Sequence, residues 1–224
     1  MHSESQQETP DLVVFDVDGT LVDTNYHHAL AWYRAFRAHG VSVPVWRVHR
    51  AIGMGGDQLV TAVAGGQVED KLGDEVRSRW AVEVEPLFDE IQACEGAVEL
   101  LSWVRERGVR VVLASSAKQE HLDRYLELLD GGRMADAYTT SADVDTTKPA
   151  PDLLTAAVEK AGGGVPVVIG DSVWDFEACR RAGYVGYGVR TGGFGAEELR
   201  AAGAVEVYDS LPHLQRAFRS VIGR

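Results

Sequence analysis

Two carboxylates two positions apart, Asp16 and Asp18, follow directly on the apolar run Leu12–Phe15. A second acidic pair, Asp171 and Asp175, follows another apolar run, Val167–Ile169. Between them Ser115 closes the run Val109–Ala114, and Lys148 stands before Pro149-Ala150-Pro151-Asp152. Singly, each has an ordinary use. An Asp after a strand caps a turn, a Ser caps a helix, and a Lys sits in solvent. Together, four carboxylates repel and raise one another's pKa unless a hard cation lies among them. Mg²⁺ prefers oxygen ligands and commonly binds one or two carboxylates with a substrate phosphate. Cation, Lys148 ammonium and Ser115 hydroxyl then make a pocket for a phosphoryl group.

The elements that must position these residues can be read from periodicity. Leu12–Phe15, Val109–Ala114, Val167–Ile169 and Tyr184–Val189 read as strands, with shorter candidates at Tyr138–Thr140 and Val205–Val207. Helical patterns stand between them, at Val98–Val104, Leu122–Leu129, Asp152–Ala161, Phe176–Ala182, Ala196–Ala202 and Pro212–Val221. Strands alternating with helices predict a doubly wound α/β core with a parallel, Rossmann-like sheet covered on both faces. In such sheets ligands bind at the carboxyl ends of the strands, so the four polar spots are expected to converge on one edge.

One stretch breaks the alternation. From residue 24 to 92 the pattern is helical throughout: Ala29, Trp32, Tyr33 and Phe36 at helical spacing, a helix opened by Pro44, a short one capped by Asp57, and Val68, Leu72, Val76 and Trp80 four apart. Asn25 is expected to cap the first of these helices. Residues 11–23 and 93–224 are thus assigned to the α/β core, 24–92 to an all-helical cap domain, and 1–10 to a disordered tail.

Asp16-Val17-Asp18-Gly19-Thr20-Leu21-Val22-Asp23-Thr24 resembles the first motif of the haloacid dehalogenase-like phosphohydrolases. Ser115 resembles their second motif, Lys148 their third, and Gly170-Asp171-Ser172-Val173-Trp174-Asp175 their fourth, in the same order. The helical insert is similar to the cap of the phosphoglycolate phosphatase and β-phosphoglucomutase branch. The resemblance implies Asp16 as a nucleophile forming an aspartyl-phosphate, and Asp18 as general acid and then base. It implies a Mg²⁺ site from Asp16, the main-chain carbonyl of Asp18, Asp171, and Asp175 in an outer role. Gly19, Thr20, Ser115, Ser116 and Lys148 would hold the phosphoryl group. Asp16 must be ionised to attack, and Asp18 is expected to begin protonated, favoured by burial under the cap.

The function expected is Mg²⁺-dependent hydrolysis of a small phosphorylated metabolite. A phosphomutase is the alternative, weakened because the cap loop Ile52-Gly53-Met54-Gly55-Gly56-Asp57 has no basic residue for a second phosphate, although Arg50 is near. A non-catalytic phosphate-binding or regulatory module is a further alternative. Asp175 has a competing use as a helix cap, and the cap-loop glycines serve a plain turn as readily as a substrate. His27 and His28 read as helix or hinge residues, and Trp32, Trp80 and Trp103 as core.

Composition agrees. The chain has 224 residues and a formal charge of −12, which disfavours general binding to a nucleic-acid backbone. The two cysteines, Cys94 and Cys179, are too few for a disulfide framework. No secretory signal or membrane span is apparent, so a monomeric cytoplasmic protein with no nucleic-acid or membrane partner is expected.

Overall fold

The computed structural model describes residues 9–130 and 133–222. Of the expected tail, residues 1–8 lie outside the described residues, and Thr9 and Pro10 belong to no helix or strand. Six strands form one parallel sheet: β1 (Leu12–Asp16), β2 (Arg110–Ala114), β3 (Ala137–Thr139), β4 (Pro166–Gly170), β5 (Val185–Val189) and β6 (Glu206–Tyr208), in the order β3-β2-β1-β4-β5-β6. The helices are α1 (Asn25–Ala38), α2 (Val45–Ala51), α3 (Gly56–Ala64), α4 (Gly66–Val84), α5 (Ala97–Arg105), α6 (Gln119–Leu128), α7 (Asp152–Lys160), α8 (Val173–Ala182), α9 (Ala196–Ala202) and α10 (Leu211–Phe218).

The strands are apolar at successive positions because both faces of the sheet are covered. Val13, Phe15, Val111, Leu113, Val167 and Ile169 pack with Leu101, Leu122, Tyr125, Leu214 and Phe218 on one side. Leu12, Val14, Val112, Ala114 and Val168 pack with Leu153, Ala157 and Ala178 on the other. The helical stretch between β1 and α5 has a core of its own, built on Ala29, Trp32, Phe36, Val48, Leu59, Val63 and Val76. A 3-10 turn at Glu85–Glu90 leads out of it.

Some boundaries differ from expectation. Asn25 is the first residue of α1, not its cap, and Asp57 lies in the first turn of α3, which follows Gly55. Both side chains are taken by distant partners, described below. α8 starts at Val173, three residues early, because Ser172 and Asp175 form a capping box. No helix among the described residues is long and apolar enough to cross a membrane.

Strand register sets the site. Asp16 pairs level with Ala114, Phe15 with Ile169, and Ala114 with Thr139. The residues just past β1, β2, β3 and β4 therefore emerge on one edge of the sheet, with β1 in the middle.

Candidate active site

Asp16, Asp171 and Asp175 meet at this edge, all buried, each offering a carboxylate oxygen within 4.8 Å of the others. Lys148, itself 1 % exposed, pairs with Asp16 Oδ1 and lies 2.8 Å from Asp175 Oδ1. Thr20 Oγ1 donates to this cluster, 2.8 Å from Asp171 Oδ1 and 3.1 Å from Asp16 Oδ2. Asp175 Oδ2 accepts from the amide and hydroxyl of Ser172, at 3.0 and 2.7 Å. One Asp175 oxygen thus caps α8 while the other faces Lys148.

Asp18 is turned elsewhere. Its Oδ2 accepts from Ser115 Oγ at 2.9 Å, and His28 Nε2 lies 3.3 Å from its Oδ1. The Asp18 carboxylate thus stands outside the acidic trio, and its side chain is not among the grouped metal-binding candidates. Ser115 Oγ also accepts from the amide of Ala117 at 3.0 Å. Ser116 Oγ is buried and has no hydrogen-bond partner among the described residues.

Burial, and then repulsion from Asp175 and Asp18, push the Asp16 carboxyl up to about 7 despite Lys148. Burial and the same kind of crowding hold Asp171 well above the usual carboxylate range. Burial opposes charge on Lys148 too, but Asp16 and Asp175 outweigh it and move its pKa upward. For Asp18 burial is also unfavourable to charge, yet His28, Ser115 and Lys148 together bring its pKa down. These influences move the two carboxyls in opposite directions. The reason is local: Asp16 faces other carboxylates, whereas Asp18 faces donors. Three crowded, desolvated oxygen ligands are also what a hard divalent cation fits, because a cation turns their mutual repulsion into attraction.

Gly19 occupies a left-handed backbone conformation (φ 80°), where a side chain would strike Asn25. Gly192 is packed equally closely, with any Cβ running into the Asp171 carboxylate. The glycines of the loop 52–57 also lie against residues that follow β3 and β4. A Cβ on Gly53 would meet Ser172 Cβ at 3.0 Å and Trp174 Cδ1 at 3.1 Å. Gly55 N donates to Thr147 Oγ1 at 3.0 Å, and Asp57 accepts from the same hydroxyl. Trp174 Nε1 donates to Arg50 O at 3.0 Å.

Three neighbours of the cluster were not apparent as such in the sequence. Asn25 Nδ2 donates to Asp171 Oδ2 at 2.7 Å and to Gly192 O at 3.1 Å. His28 meets Asp18, and Tyr125 OH lies 2.8 Å from His28 Nε2. The available signal was spacing: Asn25 and His28 are three apart, so both fall on one face of a helix that starts just beyond the Asp16–Asp18 turn.

A family model described as haloacid dehalogenase-like hydrolase matches residues 10–183. Phosphoglycolate phosphatase 1 of Pseudomonas aeruginosa is 28% identical over 225 residues, covering 95% of this chain and 83% of that protein. Validoxylamine A 7'-phosphate phosphatase of Streptomyces hygroscopicus subsp. limoneus is 25% identical over 194 residues, 80% of this chain and 85% of its own. The crystal structure of a hydrolase from Pseudomonas syringae superposes with a TM-score of 0.89 at 32% identity, covering 95% of this chain and 99% of that one.

Proposed function

The chain belongs to the haloacid dehalogenase-like hydrolases, and on that premise we propose that it hydrolyses a small phosphate monoester with Mg²⁺, through an aspartyl-phosphate on Asp16. The observation that carries this reading is the division of the acids into two groups: Asp16, Asp171 and Asp175 around Lys148, and Asp18 apart on Ser115 and His28.

Asp16 attacks phosphorus, and the bond from phosphorus to the leaving oxygen breaks. Asp18 gives that oxygen a proton. An anionic phosphoryl group beside Asp18 lifts its pKa and so favours the protonated donor. In the second half Asp18 takes a proton from water as the water attacks phosphorus. The bond to Asp16 breaks, and inorganic phosphate leaves. Ser116 and the Lys148 ammonium hold phosphoryl oxygens, with Gly19 and Thr20 shaping the near wall. Asp16, Asp171 and the main-chain carbonyl of Asp18 would hold the cation, with Asp175 in an outer position. When bound, the cation offsets the negative charge of carboxylates and phosphoryl group. Residues 24–92 act as a cap that excludes water and selects the leaving group. The enzyme works as a monomer in the cytoplasm, with Cys94 and Cys179 free.

Hydrolysis is favoured over phosphate transfer to a sugar phosphate because the two arginines beside the loop 52–57, Arg50 and Arg77, are already paired with carboxylates. Arg50 is engaged by Glu198 at 3.0 Å and lies over the Phe194 ring. Arg77, beside Gly56, is held by Glu69 and Asp74 at 2.7 and 2.9 Å. The test is a panel of small phosphate monoesters, including phosphoglycolate and hexose phosphates, with Mg²⁺ and an Asp16→Asn control. Phosphate release by the wild type and none by the variant is expected. Equal release by both removes Asp16 as nucleophile. Hexose-phosphate interconversion in place of release favours the mutase. Mg²⁺ binding with no turnover favours a binding module.

A further inference from the structure

Tyr125 OH lies 2.8 Å from His28 Nε2, and that same nitrogen is 3.3 Å from Asp18 Oδ1. The middle of this chain of contacts belongs to a different part of the fold from its ends. Tyr125 is on α6 against the sheet, whereas His28 is on α1 of the helical stretch. Tyr125 is wholly buried, its ring tilted against Phe88 at 5.9 Å and packed in the core with Leu122 and Leu129. Its hydroxyl is therefore a fixed point. The His28 ring is tilted against Trp80 at 5.6 Å, which limits it from the helical side. Asp18 has Oδ2 tied to Ser115, and its buried Oδ1, which accepts no hydrogen bond among the described residues, faces His28 Nε2 at 3.3 Å. A phenylalanine at 125 would fill the same apolar space, so packing alone leaves the hydroxyl without a purpose.

We infer that Tyr125 is a positioning residue for the hydrolysis proposed above: from the core it holds the His28 imidazole, which presents Asp18 to the leaving group when the helical stretch is docked. The inference rests on the acid–base reading of Asp18. The reactant must be in place to within a fraction of an ångström, so loosening a partner of the proton donor lowers turnover more than binding.

The experiment is Tyr125→Phe in the full chain, alone and combined with His28→Ala, with steady-state phosphate release from the best monoester of the panel. The single variant is expected to melt within about 4 °C of wild type and to lose about tenfold in kcat with KM unchanged within about twofold. In the His28→Ala background, adding Tyr125→Phe should cost clearly less than tenfold in kcat, because its contact with His28 is already gone. Wild-type kcat in Tyr125→Phe overturns the inference. So does the same fold-loss in both backgrounds, which makes Tyr125 a packing residue independent of His28. A wild type that releases phosphate from no monoester instead overturns the phosphatase reading itself.

Discussion

Asn25 Nδ2 donates to Asp171 Oδ2 over 2.7 Å, which fastens the first turn of α1 to the acidic cluster beneath it. Partners that orient a metal-binding carboxylate are worth about 10–100-fold in metal affinity. Asn25→Ala should therefore weaken Mg²⁺ binding by about that factor with the fold retained. Calorimetric titration of Mg²⁺ measures this, and an unchanged affinity would reduce Asn25 to a packing role.

Gly192 makes a second test of the same corner. Any Cβ there overlaps the Asp171 carboxylate and the Asn25 amide. Overpacking of this kind costs about 1–3 kcal/mol, and here the strain falls on Asp171. Gly192→Ala should leave a folded protein whose melting temperature no longer rises with Mg²⁺. A normal rise would mean that the loop gives way instead.

The pH dependence follows from the raised carboxyls. Asp16 goes from a reference value of 3.8 to about 7, and Asp171 moves the same way. Groups with raised pKa hold protons in the folded state that the unfolded chain has released. Their contribution to stability is therefore full at low pH and is lost as pH rises toward 7. Mg²⁺ competes with those protons. The gain in melting temperature on adding Mg²⁺ should be large at pH 8 and small at pH 5. Equal gains at both would contradict the assignment of the site.

Asp18 is expected to govern both half-reactions. Asp18→Asn should lower turnover by about 10²–10⁴. If the second half slows more than the first, phosphorylated Asp16 accumulates, and intact-mass spectrometry after substrate addition detects it. Full activity in this variant would remove Asp18 from the chemistry.

The seam between α2 and the loop after β5 offers a contrast in stability. His49 Nε2 lies 3.0 Å from Gly192 O, and the ring is stacked on Tyr26 at 4.6 Å and on Phe194 at 5.4 Å. Burial, its leading influence, lowers the His49 pKa, so the neutral ring makes these contacts near neutral pH. Arg50 and Glu198 pair at 3.0 Å but are half-exposed. His49→Ala should cost about 1–2 kcal/mol, and Glu198→Gln about 0–0.5 kcal/mol. Chemical denaturation compares them, and the reverse ranking would refute the account.

The sheet could be read from the chain because runs such as Val109–Ala114 and Val167–Ile169 leave no polar face, as burial on both sides requires. Asp16, Ser115 and Asp171 could be placed because each follows such a run, Asp171 after the intervening Gly170, and parallel register brings the run ends level. Asn25 could not. Asparagine is a good helix cap, and nothing local reveals that an acceptor 146 residues away takes its amide. Asp57, bonded to Thr147 across 90 residues, eluded prediction for the same reason. The downward influence of His28 on Asp18 was not legible either, because it depends on where α1 places that ring.

β1 has a hydrogen-bonded strand on either flank, while the three-residue strands β3 and β6 form the margins of the sheet. Fraying begins at such margins, and interior strands exchange their amide hydrogens only in the rarest openings. The segment bearing Asp16 is thus insulated from local breathing, so deuterium should enter Val13–Phe15 at the rate at which the whole molecule unfolds.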